Sequence, residues 1–138
     1  MADRLTPSSP LPGAVLRLWM LAEIGMAALY WWQYQLLSAL PGAALAVPPP
    51  RQVSVLEGLY LVVFVPAVLV LADVWQRTRD ARLAWAALAY GLLSAASFAA
   101  WPQAASIADM RLLTLADAGI SLSGLIVAAA GLFRLARP

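Results

Sequence analysis

The sequence predicts an all-α integral membrane protein, a four-helix transmembrane bundle with both termini in the cytoplasm. Hydrophobic residues make up 63% of the 138 residues and charged residues only 12%, whereas soluble domains average about 45–50% apolar and about 25% charged residues. Four apolar segments each contain close to the roughly 20 residues that cross a bilayer. Arginines are also distributed unequally between the connections. Together these observations define the class of fold.

The four predicted spans cover residues 14–37, 55–75, 83–101 and 112–133. They form one domain, residues 14–138, and follow a Pro/Ser-rich segment, residues 1–13, whose composition is typical of disorder. Helices are expected because only helices and closed barrels satisfy the backbone in lipid, and the unbroken apolar runs lack the alternation of barrel strands. The short polar connection at 76–82 predicts that the second and third helices are antiparallel neighbours.

The arginines predict the orientation. Only Arg51 and Arg111 fall on one side of the predicted spans. The other side carries Arg4, Arg17, Arg77, Arg79, Arg82, Arg134 and Arg137. Under the positive-inside rule, both termini and the 77–82 connection are cytoplasmic. Because arginine is the only basic residue and alanine is abundant, the composition indicates a multi-pass protein of a bacterial inner membrane.

Tryptophans are expected at the two membrane interfaces. The predicted outer belt consists of Trp31, Trp32 and Trp101, and the predicted inner belt of Trp19, Trp75 and Trp85.

The residue types that are missing limit the chemistry. The chain has no His, Cys or Lys, and its carboxylates are dispersed, so we expect no metal site and no cofactor. Catalytic triads and lysine Schiff bases are excluded as well, which predicts that the protein is not an enzyme. The net charge of +2 is too small to indicate nucleic acid binding.

Four carboxylates lie in or at the ends of the predicted spans: Glu23, Glu57, Asp73 and Asp117. Burying such a group in hydrocarbon costs roughly 2.5–3.5 kcal/mol, so it usually faces a protein interior or a water-filled cavity. Glu57 follows Ser54 by three residues, which predicts a capping box. Asp73 precedes Arg77 by four residues, the spacing of a favourable ion pair on a helix.

Glu23 has two interpretations. The helical face around it carries Trp19, Met20, Met26 and Tyr30. A carboxylate among aromatic rings and methionines suits an amphipathic cation, and burial disfavours its ionised form, which is a condition for exchanging a proton against a substrate. In the other interpretation, Glu23 bonds a polar group on a neighbouring helix and fixes the packing.

The segment 21–25, Leu-Ala-Glu-Ile-Gly, resembles the first helix of the small multidrug resistance transporters. These are four-span, proton-coupled exporters with one essential membrane glutamate, so the resemblance implies that role for Glu23. It covers about ten of the 138 residues. The third and fourth spans lack the aromatic–glycine and dimerisation patterns of that family, and the further membrane carboxylates are foreign to it.

The fourth span carries a stripe of mostly small residues at 4-3-4-3 spacing. Small residues on one helix face allow a neighbouring backbone to approach closely. The spacing therefore predicts a tight helix contact, within the chain or across a dimer, in which Asp117 bonds Ser94, Ser97 or Tyr90. The stripe consists of Asp117, Ser121, Gly124, Ala128 and Gly131.

Two functions follow from this pattern. The first is non-catalytic: a small inner-membrane protein that acts through helix packing as an accessory or assembly subunit, a homodimer or part of a larger membrane complex. The alternative is a proton-coupled carrier of small cationic or amphipathic molecules. In the carrier, Glu23 would bind the substrate or proton, with Asp117, Trp19 and Tyr30 beside it. The lipid bilayer is the expected environment in both cases.

Overall fold

The computed structural model describes residues 11–41 and 55–136 of the chain. These residues form four helices: α1 (Leu11–Ser38), α2 (Val55–Thr78), α3 (Ala81–Ala100) and α4 (Ile107–Ala136), with a short 3₁₀ turn, Trp101–Gln103, after α3. All four helices are long and apolar enough to cross a membrane. The all-helical, four-helix architecture predicted from the sequence is therefore confirmed.

Helices α1 and α4 begin three and five residues earlier than the hydropathy predicts, and α3 begins two residues earlier. Helix α1 starts at Leu11 rather than at residue 14, because Pro12 is compatible with a first helical turn; residues 1–10 of the segment predicted to be disordered lie outside the described residues. Helix α4 starts at Ile107 rather than at residue 112, because the Ser106 hydroxyl accepts the Asp109 backbone N–H at 3.0 Å. Such an N-cap lies outside the apolar pattern that defined the span.

Helix α4 is the central element, since it packs against α1 most extensively and also contacts α3 and α2. Its register with α1 is antiparallel: Leu16 lies beside Gly131, Glu23 beside Gly124, and Gln33 beside Thr114. Its register with α3 is also antiparallel: Tyr90 lies beside Gly124 and Ser97 beside Asp117. The helices therefore alternate up and down around α4.

The small-residue stripe of α4 is buried within the chain. A Cβ atom added at Gly131 would lie 2.7 Å from Leu71 Cδ2 on α2 and 3.3 Å from Leu16 Cδ1 on α1, so the glycine allows both leucines to approach the α4 backbone. This close contact lies inside one chain. The buried positions include all five members of the stripe: Asp117, Ser121, Gly124, Ala128 and Gly131.

Helices α2 and α3 are joined by a tight turn but hardly pack against each other. The sequence predicted that α2 and α3 are antiparallel neighbours, but they lie close together only at the turn. There, Arg79 adopts a left-handed backbone conformation with φ 53°. Further along the helices, an apolar recess of about 260 Å³ separates them, with Trp75 and Leu83 near the turn and Gly91 further along. A short connection makes two helices antiparallel, but it does not determine how large their contact area is.

Two of the predicted interfacial tryptophans are buried. Trp19 and Trp101 are 1% and 8% exposed, whereas Trp31, Trp32 and Trp85 are more than half exposed. The indole N–H of Trp19 lies 3.3 Å from the Tyr60 hydroxyl, and that of Trp101 lies 2.8 Å from Asp117 Oδ2. Buried indole donors need such partners, so Trp19 and Trp101 belong to the interior of the bundle and not to an aromatic belt.

The ion pairs among the described residues gather at the α2–α3 turn. Arg77 binds Asp73 at 2.6 Å, which confirms the predicted i, i+4 pair. Asp80 caps α3 by accepting the Arg82 backbone N–H at 3.0 Å, and it also lies 3.3 Å from Arg134 on α4. The capping box predicted for Ser54 and Glu57 lies outside the described side chains.

Asp80 contributes stability that depends on pH. The hydrogen bond from the Arg82 side chain, together with the Arg82 backbone N–H and the charges of Arg82 and Arg134, lowers the pKa of Asp80 below its ordinary 3.8. A lowered pKa in the folded state means that the contribution is complete above about pH 3.8 and is lost as the pH falls through the lowered pKa.

We therefore expect Asp80→Asn, which keeps a good capping residue, to lower the Tm by a few degrees at pH 7 and by progressively less below pH 3.8.

Thermal denaturation of the purified protein in detergent between pH 7 and pH 3 measures this difference. Asp109→Asn is the matched control: Asp109 also lies in the first turn of a helix, but it has no ion pair among the described residues. A Tm difference for Asp80→Asn that stays constant over the whole range would contradict the assignment.

Candidate functional site

Glu23 lies at the point where three helices meet. Its side chain is only 1% exposed and packs against Gly124 of α4. A Cβ atom added at Gly124 would lie 2.7 Å from Glu23 Cδ and 2.7 Å from Tyr90 Cε1 of α3, and it would overlap Glu23 Oε2. A glycine is therefore required here, because the carboxyl group and the phenol ring occupy the space of a side chain at this position.

Two tyrosines and a tryptophan form a hydrogen-bonded network with Glu23. The hydroxyl groups of Tyr60 on α2 and Tyr90 on α3 bond each other, and both side chains are hydrogen-bonding neighbours of the Glu23 carboxyl group. The Trp19 indole N–H lies 3.3 Å from the Tyr60 hydroxyl. Side chains from α1, α2 and α3 thus converge in one polar network beside α4.

This network contains too few protons to satisfy a glutamate carboxylate. The two phenols have two hydroxyl protons, of which one makes the Tyr60–Tyr90 bond and one remains for Glu23. An ionised carboxylate has about four acceptor positions. Glu23 Oε2 is buried without a hydrogen-bond partner among the described residues. A buried acceptor left unpaired costs about 1–3 kcal/mol or more. Binding of a proton or of a cationic donor at this oxygen is therefore favourable.

Glu23 also lacks a compensating charge. The ion pairs among the described residues join Asp73 and Asp80 to arginines near the α2–α3 turn, and within that part of the chain Glu23 pairs with none of them. A buried carboxylate without an ion-pair partner is strongly disfavoured in its ionised form. The local electrostatics therefore favour any positive group that can reach the carboxyl oxygens.

A cavity of about 240 Å³ opens beside Glu23 and also reaches Asp117. Phenol, phenyl and thioether groups provide most of its apolar lining, and serines provide further polar atoms. Its walls are formed by Glu23, Met26, Tyr30, Tyr60, Leu61, Tyr90, Ser94, Ser97, Phe98, Asp117, Ile120 and Ser121. All four helices thus contribute to one polar and aromatic cavity.

Asp117, unlike Glu23, has a donor for each oxygen. The Ser97 hydroxyl donates to Oδ1, and the Trp101 indole N–H donates to Oδ2 at 2.8 Å. Ser97 is one of the three partners that the sequence indicated for Asp117, while the Ser94 hydroxyl bonds the Tyr90 backbone carbonyl. Asp117 therefore joins α4 to α3 and to the 3₁₀ turn, and both of its partners are neutral.

The structure brings three of the four predicted binding residues to this cavity: Glu23, Asp117 and Tyr30. Trp19 does not line it. Trp19 lies in an aromatic cluster, with its ring centroid 5.8 Å from that of Phe64 and 5.9 Å from that of Tyr90, and it lines the apolar recess between α2 and α3. The cluster therefore separates the polar cavity from the recess.

Tyr60, Tyr90 and Trp101 are parts of the site that the sequence analysis did not identify as such. Tyr90 entered only as a partner for Asp117, and Trp101 only as an interfacial residue. The available signal is that each has a polar donor within or at the end of an apolar helix, where it needs a partner. Which carboxylate each donor reaches depends on the register between helices, which the sequence does not show.

Comparison with known proteins finds no match: no family model, no curated protein and no solved structure is similar to this chain. The function must therefore be argued from the cavity and its residues. Its two carboxylates can bind cations and exchange protons, its hydroxyl groups can donate or accept hydrogen bonds, and its aromatic faces can contact alkyl groups or cations.

We expect Gly124→Ala to displace Glu23 and Tyr90, because the added methyl group occupies the position of the carboxyl group. The expected loss is about 1–3 kcal/mol of unfolding free energy, typical of overpacking. Gly119→Ala is the matched control on the same helix, because nothing lies within 4 Å of a Cβ atom there; it should stabilise the helix by about 0.5–1 kcal/mol. Reversible unfolding in mixed micelles measures both changes, and equal effects would disprove the contact at Gly124.

Proposed function

We propose that the chain is a multi-pass protein of a bacterial inner membrane, with both termini and the 77–82 turn in the cytoplasm. The four apolar helices support this proposal, as do the large apolar side chains on their outer faces, among them Val62, Leu69 and Ile126, each more than 65% exposed. Such faces would be unusual in water and are normal in lipid. The arginine-rich α2–α3 turn supports the orientation.

We propose further that the protein is a non-catalytic carrier that binds small cationic or amphipathic molecules in exchange for protons. The observation that carries this proposal is the buried Glu23 Oε2 atom, which has no hydrogen-bond partner among the described residues while Glu23 lines the 240 Å³ cavity. A structural carboxylate would have a donor for each oxygen, as Asp117 has. An amine that entered the cavity would supply both the missing donor and the missing charge.

Proton coupling follows from competition for one carboxyl group. A proton and a cation cannot both neutralise Glu23, so cation binding releases the proton and protonation releases the cation. The other titratable side chains facing the cavity are Tyr30, Tyr60, Tyr90 and Asp117. Phenols remain neutral near pH 7, which leaves Glu23 as the exchanging group on the phenol-lined side.

Phenethylamine, a primary amine with one aromatic ring, is a suitable probe. When it is added to the purified protein in weakly buffered detergent, we expect about one proton to be released for each amine bound. Its apparent affinity should rise with pH by up to about tenfold per unit while the free protein still binds the exchanging proton. Glu23→Gln should abolish the proton release and weaken binding at least about tenfold, which corresponds to the loss of one charge-assisted hydrogen bond.

Glu57→Gln is the control, because it removes another carboxylate from the same protein. A pH indicator dye measures proton release, and titration calorimetry measures amine binding. Unchanged release and binding in Glu23→Gln would disprove the carrier function.

A second candidate function is an accessory or assembly subunit, with a homodimer as its simplest form. The recess between α2 and α3 supports it. Gly91 lines this recess, and nothing lies within 4 Å of a Cβ atom there, so a neighbouring helix could approach closely.

Because the chain has no cysteine, single-cysteine cross-linking tests this candidate cleanly. If a dimer forms along the recess, Gly91→Cys should give a disulfide-linked dimer in membranes under mild oxidation, whereas Gly25→Cys on α1 should not. Failure of Gly91→Cys and of Ala84→Cys to cross-link would exclude a symmetric dimer along this face.

A further inference from the structure

We infer that the cavity takes a linear dication, a diamine or polyamine, with one ammonium group at Glu23 and a second at Asp117. This inference rests on the proposed carrier function and specifies its substrate class. It starts from the fact that two carboxylates from different helices line the same cavity. Asp117 has a donor for each oxygen, whereas Glu23 Oε2 has no hydrogen-bond partner among the described residues.

The helix register sets the distance between the two carboxylates. Glu23 Oε2 lies at the position of Gly124, and Asp117 precedes Gly124 by seven residues on the same helix. Seven residues of an α-helix rise about 10.5 Å. Each ammonium nitrogen would lie roughly 3 Å from its carboxylate. The two nitrogens of the occupant must therefore be about 5–10 Å apart, a separation that linear diamines from diaminopropane to diaminooctane can adopt.

The charge of the cavity favours two positive groups over one. The donors to Asp117 are a serine hydroxyl and an indole N–H, which fill two acceptor positions but supply no positive charge. A monocation at Glu23 would leave the Asp117 carboxyl group with neutral partners only. A dication neutralises both carboxylates at once.

The lining between the two carboxylates suits a methylene chain. Met26, Phe98 and Ile120 provide apolar surface, and Tyr30 provides an aromatic face. A bulky aromatic cation would fill this space without reaching both carboxylates, whereas a flexible alkyl chain can follow it. The site therefore selects ligands by the distance between their two charges rather than by their size.

Titration calorimetry with diaminooctane and aminooctanol tests the inference, because the two ligands have the same length and differ by one ammonium group. We expect the protein to bind diaminooctane at least about tenfold more tightly than aminooctanol, and to prefer diaminooctane over diaminoethane, which is too short. Asp117→Asn should abolish this preference, so that the variant binds diaminooctane no more tightly than aminooctanol. Ser97→Ala, which removes one of the two hydrogen bonds to Asp117 but keeps its carboxyl group, should retain the preference.

The possible results separate the two proposals. Equal affinity of the unmodified protein for diaminooctane and aminooctanol, or a preference that survives Asp117→Asn, would overturn the dication inference. If Glu23→Gln then still abolishes the binding of both ligands, the proposed carrier function stands without the dication inference. Binding of neither ligand by the folded protein would reject both proposals. If Asp117→Asn does not fold, the comparison of diaminoethane, diaminooctane and aminooctanol on the unmodified protein decides the question.

Discussion

The burial of the Glu23 carboxyl group against the backbone of α4 is the constraint on which the rest of the structure depends. Glu23 can occupy its position only because residue 124 is a glycine, and Tyr90 enters the same space from α3. A polar group buried at this depth needs hydrogen-bonding partners, and only a neighbouring helix can provide them. The Tyr60 and Tyr90 hydroxyl groups do so. The contacts that fix the register of α1 and α3 on α4 are thus the contacts that create the site.

The same constraint explains why the bundle is unevenly packed. Small residues along α4 bring α1 close over most of its length, from Gly131 through Gly124 to Thr114. Helices α2 and α3 have no comparable stripe facing each other, and they separate beyond their turn. One part of the bundle is therefore closely packed while another contains open space. A carrier needs this combination, because a uniformly packed bundle would leave no volume for a ligand.

The sequence predicts the elements of this fold better than the relations between them. Length and hydropathy identify all four helices, and the 4-3-4-3 spacing identifies the buried face of α4, because both signals are local. The spacing also includes Gly124, but it does not indicate that Glu23 is opposite. Tyr60 and Tyr90 lie on different helices, so their convergence on Glu23 depends on the register of α2 and α3 relative to α1. This register cannot be read from a single sequence. Trp19 and Trp101 illustrate the same limit, since an indole near a helix end suits an interface as well as a buried hydrogen bond.

Glu23 and Asp117 show how two carboxylates in one cavity can differ in role. Asp117 has a short side chain and a donor for each oxygen, from Ser97 and Trp101, so any movement would break two hydrogen bonds. Glu23 has a longer side chain, and its Oε2 atom has no hydrogen-bond partner among the described residues; protonating it or binding a cation there breaks no hydrogen bond. In the proposed carrier, proton exchange is therefore assigned to Glu23, and Asp117 is a positioned binding group. A ligand that engages both carboxyl groups would bind one that is held by two hydrogen bonds and one whose Oε2 atom has no hydrogen-bond partner among the described residues, so protonation of Glu23 alone would remove one of its two contacts.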